Sequence, residues 1–181
     1  MTAATRYSFP SIVLHWLVAL LIITAFAIGL TVADMPLSPT KFHWMAYHKW
    51  IGISVLTLAL LRLLVRLMTK VPALPDSMSP LMQRAAHAGH WVLYALMFAV
   101  PLTGWMMSSA YGFPVVFLQI VPLPDLVSAN PELAKQLKEV HEALNWVLAA
   151  AVAGHALVAL KHHFIDKDGL LWRMSLRQPR A

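Results

Sequence analysis

Polar and apolar positions along this chain are not interleaved but segregated into blocks. Residues 11–33, 85–124 and 143–160 contain no Asp, Glu, Lys or Arg. A fourth apolar stretch, from about Trp44 to Leu61, holds only Lys49 near its start and is closed by Arg62 and Arg66. A helix of about 17–25 residues crosses a hydrocarbon core. The pattern therefore predicts an all-α integral membrane four-helix bundle, one domain over residues 1–181, with helices at about 11–33, 43–68, 80–110 and 131–164.

The breakers between the blocks set the boundaries. Asp34, Pro36 and Pro39 close the first helix, since proline cannot continue a helix without losing a hydrogen bond. The second begins near Phe42 or His43 and stops before Val71-Pro72 and the turn-rich Pro75-Asp76-Ser77. Ser79 and Pro80 read as the cap and first residue of the third, which runs to Ser109 or Ala110 with an expected kink at Pro101. Pro114, Pro122 and Pro124 break up the apolar segment that follows, so it is read as a surface loop and not a fifth span. Asn130-Pro131-Glu132 opens the last helix, which at about 1.5 Å per residue is long enough to project beyond the membrane. The tail from Asp166 is expected at the inner interface. The first apolar run is longer than the core of a cleavable leader and carries His15-Trp16, so it is read as a retained span.

Composition sharpens this picture. Of 181 residues, 59% are hydrophobic and 12% charged, with a mean hydropathy of +0.65, well outside the range of soluble domains. There is no cysteine, which excludes disulfides, iron–sulfur clusters, thiolate zinc sites and covalently attached haem together. With both termini placed inside, the inner side holds Arg6, Arg62, Arg66, Lys70, Arg84, Lys161, Lys167, Arg173, Arg177 and Arg180, and the outer side only Lys41, Lys49, Lys135 and Lys138. The net charge of +6 is thus a topology signal, with both termini cytoplasmic. It calls for no nucleic acid.

Nine histidines are the anomaly, because ionisable groups inside spans are costly and mark function. His141 and His155 are 14 residues apart on the last helix, which puts them about 21 Å apart along its axis and within about 40° of one face. His48, early in the second helix, matches the depth of His141 on the outer side. His15, early in the first, matches that of His155 on the inner side. Two imidazoles approaching one porphyrin from opposite faces are what a six-coordinate haem iron needs, and bundle interiors supply such sites. Gly52, Gly154 and the cluster Ala149–Ala151 would leave room for a flat macrocycle. His87 and His90 are rival inner ligands or hydrogen-bond partners, and His43 is read as a surface residue.

His15-Trp16, His48 with Gly52, Ala86-His87-Ala88-Gly89-His90, and His141 with Gly154-His155 resemble the bacterial cytochrome b561 family. The resemblance extends to Lys161-His162-His163 and Leu171-Trp172-Arg173-Met174, covering nearly the whole chain. It implies a bacterial inner-membrane protein with two haems b, sharing its design with the membrane cytochrome subunits of formate dehydrogenases and hydrogenases. The implied pairs, His48 with His141 and His15 with His155, are those reached from depth. It further implies ubiquinone as electron acceptor and, for members similar to the bacterial superoxide oxidase, superoxide as donor.

Other residues have candidate roles around that frame. Arg62 and Arg66, one turn apart, are placed to pair with propionates of the inner haem. Lys161, His162 and His163 are candidates to bind quinone and supply its protons. Lys49, Lys135 and Lys138 are candidates to draw a small anionic donor toward the outer haem. Two other readings remain open: an anchor passing electrons between a periplasmic redox partner and the quinone pool, and a histidine-based metal-ion transporter.

Overall fold

The computed structural model describes residues 6–75 and 78–176. The expected turn at Asp76-Ser77 and the basic residues Arg177 and Arg180 lie outside them. Among the described residues four long helices run α1 Phe9–Ala33, α2 Pro39–Met68, α3 Pro80–Ala110 and α4 Pro131–Lys161. All four are long and apolar enough to cross a membrane.

Three of the four helix starts follow one rule, whereas Ser8 before α1 makes no side-chain cap. In α2, α3 and α4 a polar cap precedes a proline: Ser38 Oγ accepts from Lys41 N at 3.2 Å, Ser79 Oγ from Met82 N at 3.4 Å, and Asn130 Oδ1 from Glu132 N and Leu133 N at 3.0 and 3.1 Å. Proline at the first helical position gives up an N–H that has no partner there in any case. The expected start of the second helix near Phe42 or His43 is therefore corrected to Pro39, which initiates α2 instead of breaking α1. The α form of the last helix ends at Lys161, short of the expected Phe164, and continues as one π-helical turn over His162–Asp166. Helix α3 passes through Pro101 without interruption.

The segment between α3 and α4 carries a short antiparallel pair that the sequence did not predict, β1 Val116–Phe117 and β2 Val121–Pro122, with Val116 opposite Pro122 and Phe117 opposite Val121. It is tied to the bundle by two tryptophans, Trp50 Nε1 donating to the Val116 carbonyl at 2.7 Å and Trp105 Nε1 to that of Pro124 at 3.1 Å.

Helix α1 packs along α2, α2 along α3, and α3 along α4, whereas neither α1 nor α2 packs extensively along α4. Buried contacts gather in small clusters, one of Val18, Ala59, Tyr94 and Met97, another of Leu96, Val100 and Leu148, and a third of Ala110, Ala134 and Leu137. Large apolar side chains such as Leu20 and Ile23 face outward at 61% and 60% exposure. That is the expected arrangement when lipid tails solvate the perimeter and helices associate by local packing. At the end bearing His15, the C-terminal turn Leu171–Met174 folds back onto α1, where Trp16 Nε1 donates to the Met174 carbonyl at 2.8 Å and Tyr7 N to that of Arg173 at 3.4 Å.

Candidate functional site

The gap between α4 and the α1/α2 pair is crossed by imidazoles. His48 of α2 faces His141 of α4 with ring centres 6.2 Å apart and planes at 90°. Two imidazole nitrogens each about 2 Å from one metal ion put their ring centres about 6 Å apart, so this spacing fits one iron between them. His48 Nδ1 donates to the Ala25 carbonyl at 3.0 Å and His141 Nδ1 to that of Val100 at 3.0 Å. A carbonyl only accepts, so each Nδ1 carries the proton and each Nε2 keeps its lone pair for a metal.

At the other end of the bundle three imidazoles converge. His15 of α1 lies 6.2 Å from His155 of α4, centre to centre, with planes at 64°. His90 of α3 lies 5.5 Å from the same ring and donates from Nδ1 to its own helix at the Ala86 carbonyl, 2.7 Å away. His15 Nδ1 is buried without a hydrogen-bond partner among the described residues, an orphaned polar atom of the kind a missing ligand explains. His87 is exposed and His43 is exposed. A Cβ built at Gly52 or Gly154 meets nothing within 4 Å, so both glycines border open space. The donor set, its spacing and this space fit bis-imidazole ligation of a flat macrocycle.

Arg62 belongs to the His15 end: its charge acts on His15, His90 and His155, and its guanidinium stacks 5.6 Å from the centre of Tyr94. The charge of Arg66 also reaches His90. The outer lysine candidates are not gathered at one point. Lys49 Nζ turns to the Phe113 carbonyl at 3.4 Å and lies over the Phe113 ring; Lys138 pairs with Glu142 at 3.4 Å on an exposed surface; Lys135 is exposed one turn away.

Lys161, His162 and His163 lie where α4 loosens into its π turn. His162 is only 8% exposed, and its Nδ1 is 2.6 Å from Asp168 and 3.0 Å from Asp166. Lys161 Nζ grips the Asp166 carboxylate at 2.6 and 2.8 Å, while His163 meets Trp172 edge-on. Sequence reasoning missed Asp166 and Asp168 as partners, although two carboxylates within seven residues of Lys161-His162-His163 were a visible signal. It also missed Gly29 and Gly104, which lie against the His48 and His141 rings.

Four helices long and apolar enough to cross a membrane, with facing imidazoles toward both ends of one of them, are the arrangement of a membrane redox protein. The model of the prokaryotic cytochrome b561 family matches residues 6–175. The chain is 34% identical over 170 residues to cytochrome b561 homolog 2 of Escherichia coli (strain K12), covering 93% of this chain and 90% of that protein. It is 34% identical over 171 residues to the probable superoxide oxidase CybB of Yersinia pestis, covering 93% and 95%, and 31% identical over 180 residues to cytochrome b561 homolog 1 of Escherichia coli (strain K12), covering 96% and 98%. The chain belongs to the prokaryotic cytochrome b561 family. It is a multi-pass electron-transfer protein of the bacterial inner membrane with an oxidoreductase role, and the family implies haem b.

Proposed function

We propose that this chain holds two haems b, one between His48 and His141 at the outer face and one between His15 and His155 at the inner face, and that it is a superoxide:ubiquinone oxidoreductase. The observation that carries this reading is the pair of facing imidazoles at each end of α4, both with ring centres 6.2 Å apart. When bound, haem iron supplies a one-electron carrier at each end. In the balanced reaction two superoxide anions each lose one electron to become dioxygen, and one ubiquinone gains two electrons and two protons to become ubiquinol. The name of the Yersinia pestis relative, a probable superoxide oxidase, supports the donor.

The chain's own residues then have defined tasks. The protonated Nδ1 atoms of His48 and His141 keep their Nε2 lone pairs aimed across the gap. Arg62 and Arg66 balance propionate charge at the inner end. Lys49, Lys135 and Lys138 raise the local potential for an incoming anion, a field that Glu142 weakens at Lys138. His162, with Asp168 accepting from Nδ1, offers an Nε2–H to a quinone carbonyl when the ring carries both protons, and Lys161 and His163 complete the donor group. The basic residues of the His15 end support a topology with both termini in the cytoplasm.

The test is quinone reduction by the purified chain in lipid nanodiscs under a steady superoxide source. Ubiquinol should form faster than in a chain-free control, and Lys138→Glu should slow it at low ionic strength while reduction by dithionite is unaffected. Failure to form ubiquinol by a chain that dithionite reduces fully would overturn the donor or acceptor. The alternative, an anchor that accepts electrons from a periplasmic redox partner, draws on the apolar surface of Phe42, Met45, Phe113, Pro114 and Val116. A stoichiometric copurifying partner would favour it.

A further inference from the structure

His48 and His141 are each held by a neighbouring helix through the same local device. On α1 the Ala25 carbonyl accepts from His48 Nδ1, and Gly29, four residues on, lies against the ring; a Cβ there would stand 3.1 Å from Cε1 and 3.5 Å from Nδ1. On α3 the Val100 carbonyl accepts from His141 Nδ1, with the Thr103 hydroxyl also 3.3 Å from that nitrogen, and Gly104, again four residues on, would bring a Cβ to 2.9 Å from Cε1 and 3.3 Å from Nδ1. A helical carbonyl bonds the N–H four residues later, so the side chain of that later residue stands beside it. The carbonyl keeps a second lone pair. Glycine at the fourth position leaves that lone pair open to an imidazole from another helix.

The two seats lie on different helices and leave the ring planes at 90°. The opposite end of the bundle lacks the device: His15 Nδ1 has no hydrogen-bond partner among the described residues, and its plane meets that of His155 at 64°. We propose that Gly29 and Gly104, with the carbonyls of Ala25 and Val100, are positioning residues that hold His48 and His141 in crossed planes on one iron. This rests on the reading that these two histidines ligate haem b.

Ring orientation has its own spectroscopic signature. Each imidazole interacts through its π system with one of two iron d orbitals. Crossed planes engage both orbitals equally, which leaves them nearly degenerate and makes the low-spin ferric signal in electron paramagnetic resonance highly anisotropic. Planes turned toward parallel separate the orbitals and give an ordinary rhombic signal. A glycine-to-alanine change that turns one ring thus moves the signal even if haem content and fold are retained.

The experiment records these spectra on the purified, oxidised protein and on His141→Ala, Gly104→Ala, Gly29→Ala and Gly89→Ala; a Cβ at Gly89 meets nothing within 4 Å. The intact protein should show a highly anisotropic signal that His141→Ala removes. Gly104→Ala should move that signal toward rhombic or selectively remove its haem, Gly29→Ala should do so to a smaller degree, and Gly89→Ala should leave it in place. Retention of every haem in His141→Ala would refute the ligand reading itself. With that reading intact, the proposal is overturned if the intact protein has no anisotropic signal that His141→Ala removes, if both seat variants keep the intact spectrum, or if they disturb the two haems equally. Should Gly104→Ala fail to fold, Gly29→Ala and the intact spectrum decide by the same criteria.

Discussion

What each imidazole Nδ1 touches separates the histidines of this bundle. For His48 and His141 it is a carbonyl of another helix, for His90 a carbonyl of its own helix, for His162 the Asp168 carboxylate. His90 comes closer to His155 than His15 does, 5.5 against 6.2 Å. The shorter spacing is ring contact, below the roughly 6 Å that two imidazoles on one metal require, whereas the longer one repeats that of the His48–His141 pair. His15→Ala should therefore abolish the same haem as His155→Ala, and His90→Ala should leave two haems with bis-histidine spectra, as read by reduced-minus-oxidised difference spectroscopy. If His90→Ala removes the inner haem and His15→Ala spares it, α3 supplies that ligand. The four paired histidines were legible because their spacing encodes depth on a helix. Gly29 and Gly104 were not, since their contacts join positions far apart in the chain and a glycine within an apolar run has no periodicity to mark it. Gly52 and Gly154 stand near histidines in sequence and were legible for that reason; both border open space.

At the scale of elements, caps govern where the helices begin. Asn130 binds two first-turn amides of α4, and its own N–H donates to the Ala110 carbonyl at 2.9 Å, joining the start of α4 to the end of α3. Asn130→Ala should cost about 1 kcal/mol and raise hydrogen exchange at the Glu132 and Leu133 amides, with the haem spectrum unchanged. Unaltered exchange at those amides would show that the helix start is held by other contacts. The same chemistry explains a misread boundary: Ser38-Pro39 is a cap and first-turn pair like Ser79-Pro80, but its position after Asp34 and Pro36 made it look like part of a breaker cluster. The β1–β2 turn was invisible for a different reason. Leu118 and Gln119 take positive φ values of 53° and 61°, where Asn or Gly is the usual signal, and the turn is held in place by Trp50 and Trp105 from distant helices.

For the whole molecule, the four-helix architecture was legible from the blocks of apolar sequence, because a membrane requires length and the absence of charge before it requires a pattern. The order of packing was not, since helices apolar on every side carry no stripe to indicate a neighbour. The result is a bundle in which α4 packs mainly along α3 and meets α1 and α2 through facing imidazoles and the edge-on pair of Phe26 and Trp146. Everything proposed for this chain depends on those two crossings each holding a haem. The most direct measurement is haem b per chain, by alkaline pyridine spectrum against amino-acid analysis of the purified, haem-replete protein. Two haems b per chain are predicted; a saturating value of one, or none, would contradict the account.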